Sequence, residues 1–140
     1  MKNNKFRIIS GIFIFVIISL FLLLKSYNKP HKDIRTSKAD LTLNAEYLLN
    51  QFLEDEDAAS KKYADNIILL KGEVFEISTH DGNSVITLKN QYSDASIICQ
   101  LIPEDNINAL KLKKGQNVTI KGICSGFLLD VIMVRCIIVK

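Results

Sequence analysis

Three cysteines, two histidines and one run of four acids are the groups in this 140-residue chain whose types could do chemistry. A zinc site takes cysteine and histidine at short paired spacings, because one turn must bring two ligands to the same ion. His31 and His80 lie far apart, and Cys99, Cys124 and Cys136 show no such pairing. Glu54-Asp55-Glu56-Asp57 reads as a solvated surface: adjacent helical side chains diverge, and calcium loops are punctuated by glycine. Ser125 stands beside Gly126 in a turn, with no base or orienting group near it in sequence and no G-x-S-x-G elbow. Glycine-rich phosphate loops are missing too. These residues argue against an enzyme and against any metal or cofactor.

The cysteines have a second use, a disulfide in an oxidising compartment. If residues 125–129 make a tight connection, Cys124 falls opposite Asp130 and Cys136 lies about six residues, or ~20 Å, further along. A bridge needs Cα atoms within about 7 Å, which disfavours Cys124–Cys136. Cys99–Cys136, on neighbouring strands of the barrel argued below, stays open. Three thiols packed as small hydrophobes is the favoured reading.

A ligand face needs cations and flat rings. Lys89, Lys121 and Arg135, with Tyr92 and Phe127 near loops, are the candidates. The charge balance works against a polyanion. The whole chain is +3, yet from Leu41 onward 10 basic residues face 13 acidic ones, a net of −3. Nucleic acid is therefore disfavoured as a partner of the folded part.

The positive charge sits instead around a 17-residue uncharged run at residues 8–24, IISGIFIFVIISLFLLL, of which 14 residues are Ile, Leu, Val or Phe. Those side chains favour bilayer insertion by about 4–8 kcal/mol. As a helix the run is about 25 Å long, slightly short of the ~30 Å hydrocarbon layer. Lys5, Arg7 and Lys25 are placed to reach the headgroups as interface anchors. The alternative is a cleaved signal peptide, but LLLKSYNKP offers no small-residue cleavage site, and no cysteine follows for lipid attachment. The expectation is a single-pass anchor binding the lipid bilayer, with the domain outside the cytoplasm. The basic residues on the far flank argue for the reverse orientation.

Beyond the anchor, residues 25–40 are polar, contain Pro30 and read as a tether. Ala45, Leu48, Leu49 and Phe52 fall at i, i+3, i+4 and i+7, one apolar helical stripe, with Asn44 or Thr42 as cap. Ala58, Ala59 and Tyr63 continue it beyond the acids, with Asp57 as a second cap. From Ile67 the pattern turns to short strands: 67–78, 84–90, 95–102, a short helical stretch after Pro103, 116–124, and 127–139. In the first, Ile68, Leu70 and Gly72 keep one alternation while Phe75 and Ile77 keep the other, which predicts a bulge beside the glycine. The last strand is apolar on both faces, with Arg135 interrupting one, and so calls for a second cover, either the 44–63 stripe or another copy.

Helix, three strands, short helix, two strands is the order of an OB-fold with an N-terminal helical extension. KKYADNIILLKGEVFEI, LKKGQNVTIKGICSGFLLDVIMVRCII and the aromatic-then-strand junction at Tyr63 make residues 41–140 resemble the tRNA-anti-like OB-fold proteins, small bacterial proteins. The resemblance implies kinship with nucleic-acid-binding OB modules. It implies no reactive group, since the shared positions are barrel glycines and apolar residues. Relatives often carry a lipoprotein signal, which this chain lacks. The expected whole is mainly β: a basic segment (1–7), a transmembrane helix (8–24), a tether (25–40), a helical extension (41–66) and a five-stranded OB barrel (67–140). The expected function is a membrane-anchored, non-enzymatic module contacting a protein, another envelope component or its own copy. The alternative is an OB domain that binds single-stranded nucleic acid or an oligosaccharide.

Overall fold

The computed structural model describes residues 14–21, 33–89 and 92–139, in two units, Met1–Lys32 and Asp33–Lys140. Of the apolar run, residues 14–21 are helical with exposed side chains. Among the described residues no helix is long and apolar enough to cross a membrane. The rest of the 8–24 run, with Lys5, Arg7 and Lys25, lies outside them.

The second unit is built from strands β1 (Leu41–Asn44), β2 (Ile67–His80), β3 (Asn83–Leu88), β4 (Ile97–Leu101), β5 (Asn117–Phe127) and β6 (Val131–Val139). Helices α1 (Ala45–Glu54) and α2 (Glu56–Tyr63) precede β2, and a 3-10 turn (Pro103–Asp105) leads into α3 (Asn106–Ala109) before β5. The strand order β1-β2-β3-β4-β6-β5, with β2 also pairing β5, closes five strands into the expected barrel. β4 and β6 run parallel; the other barrel pairs are antiparallel. Closure removes the sheet edges and leaves one enclosed core.

β2 carries the bend that closure requires. Ile68, Leu70 and Val74 point inward and are fully buried. Gly72 shares their phase, and a Cβ there would stand 2.7 Å from that of Ala45, so only glycine lets α1 start against the strand. The predicted bulge is present, but between Val74 and Glu76 rather than beside the glycine. Its effect is to leave Phe75 outside, as the alternation already has it, and to bring Ile77 to the core side. At the other end of the hairpin, Asp81 (φ 49°) and Gly82 (φ 79°) make the two-residue turn in the left-handed conformation that tight hairpins need.

Several expected boundaries move. Residues 33–40 are not a tether: Ile34 is buried, and Asp40 exchanges two hydrogen bonds with Ile67, its amide donating to the carbonyl at 2.7 Å and its Oδ2 accepting at 2.8 Å. Residues 41–44 form a strand paired parallel to β2, not the start of a helix. Leu48, Leu49, Phe52, Ala59 and Tyr63 do form the buried stripe. Asp55, not Asp57, caps α2, its carboxylate accepting from the Ala58 amide. Asn44 stands at the N-cap of α1 without a side-chain bond.

The last strand differs most. Phe127 ends β5, exposed Leu128 and Leu129 belong to the turn, and β6 starts at Val131. Val131 and Met133 face the core; Arg135 (φ 54°) forms a bulge that shifts the phase, so Cys136 is the next inward residue. That shift explains much of the two-sided apolar pattern. The 44–63 helices do not cover the outer face of β6; they pack on β1, β2 and β5.

Two carboxylates tie the turns to the barrel. Asp130 Oδ1 accepts from the Ser96 amide and hydroxyl, each at 2.7 Å, fixing the β5–β6 turn to β4. Asp105, buried, accepts from the Ile138 amide at 2.5 Å and joins the 3-10 turn to β6.

Candidate functional site

The bulge in β2 creates the main concave feature. Phe75 lies 38% exposed at a cleft of about 710 Å³. One wall is the first turns of α1, Ala45, Glu46 and Leu49; the floor is Gly72 and Val74 with Leu88 and Ile97. Lys114 Nζ stands 4.6 Å from the Phe75 ring centroid and Lys89 Nζ 5.5 Å from it, both within cation–π range. Lys71 and Glu73 complete the polar rim.

The lysines are positioned by backbone. Gly115 (φ 83°) makes the turn that carries Lys114, and its amide donates to the Val74 carbonyl at 2.7 Å. The Val74 amide in turn donates to the Gln116 carbonyl at 2.9 Å. This pair locks the 113–116 turn onto Val74, next to Phe75. Lys89 follows β3 directly, and its Nζ donates to the Asp94 carbonyl at 3.3 Å. The cleft therefore offers a flat ring flanked by ammonium groups over an apolar floor, with three lysines against Glu46 and Glu73. Such a surface has the shape and charge to suit a planar ring with an anion beside it.

Of the residues singled out in the sequence, only Lys89 lies here. Lys121 Nζ donates to the carbonyls of Arg35 (3.2 Å) and Ser37 (3.0 Å), holding the leading segment. Phe127 stacks on Phe52 with centroids 5.7 Å apart and serves the core. Tyr92 is 87% exposed and lines neither this cleft nor the pocket at Arg135. Arg135 lines a separate pocket of about 280 Å³. Phe75, Lys71 and Lys114 were missed. The signals were present: an aromatic out of phase after Gly72, and a lysine beside a turn glycine.

Cys99, Cys124 and Cys136 are free and fully buried. Cys124 pairs with Met133 rather than lying opposite Asp130, so the ~20 Å separation from Cys136 does not arise; three residues along a strand is about 10 Å. The Cys136 thiol is pushed well above its ordinary range, chiefly by burial and then by its hydrogen bond with Cys99. Burial likewise raises Cys124. A thiol whose pKa is raised by folding stabilises the fold fully below the ordinary range, about 8.5, and that stability is lost as pH rises above it. The urea midpoint is expected to fall between pH 7 and pH 9.5, and to fall less in Cys136→Ala. Iodoacetamide at pH 7 should leave the native thiols unmodified by intact-mass measurement and alkylate all three in urea.

A sequence profile of the tRNA_anti-like family matches residues 1–138. No curated protein matches the chain. Among solved structures, the domain is similar to a Klebsiella pneumoniae lipoprotein assigned as nucleic acid-binding, at TM-score 0.61 and 16% identity, covering 80% of this chain and 100% of that one. It is also similar to a Leishmania major protein assigned as an aspartyl-tRNA synthetase, at TM-score 0.51 and 10% identity, covering 87% of this chain and 26% of that one. A match to the S. pombe Stn1–Ten1 complex has TM-score 0.43 and 18% identity, covering 53% of this chain and 58% of that one. At these identities the likeness is one of fold.

Proposed function

The chain belongs to the tRNA_anti-like family, and on that footing we propose that it is a membrane-tethered OB-fold binding module without a reaction of its own, whose cleft takes single-stranded nucleic acid. One observation carries the reading: Phe75 stands at a 710 Å³ cleft with two lysine ammonium groups within 5.5 Å of its ring centroid, the combination of aromatic ring and cations that unpaired bases and their phosphates use. The domain's net −3 opposes a polyanion, but a groove responds to its local charges, and Lys71, Lys89 and Lys114 are concentrated here. The Klebsiella protein of similar fold, assigned as nucleic acid-binding, supports the same ligand class. Double-stranded DNA does not suit the site, because its bases are not free to stack on Phe75.

With at most three lysines neutralising phosphates, the slope of log K against log salt is expected to be about −2. Fluorescence anisotropy of a labelled oligothymidylate of about a dozen nucleotides with the full-length protein tests this. Binding at low salt, weakened about tenfold or more in Phe75→Ala, is the expected result. No binding at low ionic strength overturns the reading.

The tether is the apolar run at residues 8–24, with its basic flanks, and the domain faces away from the cytoplasm. A C-terminal reporter active only outside the cytoplasm checks the orientation. Contact with another protein is the second reading, favoured by the paired exposure of Leu128 (84%) and Leu129 (83%) at one turn tip. If the cleft binds no oligonucleotide while Leu128→Asp abolishes crosslinking to a membrane partner, that reading takes its place.

A further inference from the structure

We propose that the pocket at Arg135 is a second ligand site, independent of the Phe75 cleft, that binds a phosphate group. Arg135 occupies φ 54° in a bulge of β6, a conformation in which glycine is the ordinary residue. A long charged side chain is strained there, and such strain persists where it places a group for use. Among the described residues no carboxylate pairs with the Arg135 guanidinium.

The pocket around it, about 280 Å³, is lined with donors. Gln100 and Asn83, which carry side-chain amides, line it together with Arg135. Val85, Leu101 and Val134 supply apolar walls that lower the local dielectric and strengthen a charged hydrogen bond. Asp81, the single acid at the rim, is turned to His80. Arg135, Gln100 and Asn83 leave three donor side chains for an anion. A tetrahedral phosphate, with oxygens directed to several sides, matches them, and the guanidinium fork binds two of those oxygens at once. The phosphate could belong to a nucleotide end or to a lipid headgroup; the chemistry at Arg135 is the same.

Titration of the full-length protein with inorganic phosphate, followed by 15N amide shifts, tests the site. The Arg135 and Cys136 amides and the Gln100 side-chain amide are expected to shift in a saturable way. Arg135→Gly should weaken phosphate binding at least tenfold while leaving the melting temperature unchanged or higher, because glycine relaxes the backbone; a purely structural arginine would show the opposite. Gln100→Glu, which adds a negative charge at a half-buried lining position without altering the bulge, should weaken it similarly. Phe75→Ala should leave the response intact. Preferential competition by a 5′-phosphorylated dinucleotide over its unphosphorylated form assigns the phosphate to a nucleotide; competition by phosphatidylglycerol vesicles assigns it to a headgroup. Absence of a saturable shift, or parental phosphate binding in both variants, overturns the proposal.

Discussion

Phe52→Ala is expected to lower the unfolding free energy by about 3–5 kcal/mol, the usual range for truncating a fully enclosed aromatic. Phe52 is 1% exposed and joins two elements that have no local reason to meet. It stacks on Phe127 at the end of β5, with centroids 5.7 Å apart and an 18° interplanar angle, and lies 6.0 Å from Tyr63 at the end of α2. Removing the ring takes away both aromatic contacts and leaves a void that α1 and the barrel cannot close without moving together. Since a domain of this size has a total stability of about 5–15 kcal/mol, the variant should be close to unfolding at 37 °C. Urea denaturation measures it. The Phe75 cleft should weaken in parallel, because Leu49, one turn before Phe52 on the same helix, forms part of its wall. Retention of parental stability would mean that the helices are not part of the folding unit.

Gly122→Ala should cost about 1–3 kcal/mol from a single methyl group. The Gly122 position lies opposite the β6 bulge, and a Cβ there would collide with Cys136 Sγ while standing 3.4 Å from both Cys136 Cβ and Met133 Cε. Those atoms are themselves enclosed, so the barrel wall has nowhere to shift them. The cause is identified by a double-mutant cycle. Cys136→Ala removes Sγ, and Gly122→Ala in that background should cost at least 1 kcal/mol less than in the parent. An additive pair would trace the penalty to the backbone instead. The same approach explains why the buried thiols are small: β5 and β6 come together here at the distance a glycine and a cysteine allow.

The elements were legible because their signals are local. An apolar stripe at 3.6-residue spacing identifies α1 and α2, alternation with turn residues identifies the barrel strands, and both depend only on neighbours along the chain. Leu41–Asn44 escaped for the opposite reason. Its strand exists only because Ile68–Lys71 offers a parallel edge, and four residues carry too short a pattern to announce it. Ile34 escaped likewise, as a lone apolar residue among polar ones whose burial depends on a barrel formed later in the chain.

The sequence alone thus determined the family, the β character of residues 67–139 and the two-helix extension, since each is written in residue type and short-range period. Tertiary structure decided where the bulges fall, and through them which side chains share a surface. A one-residue shift at Val74–Glu76 brings Ile77 to the core side while Phe75 stays outside near Lys89 and Lys114, and another at Arg135 returns Cys136 to the core. Strand phase has a period of two, so a single inserted residue exchanges inside for outside. Its position is set by how five strands must curve to close, a condition imposed by the whole barrel and not by any stretch of it.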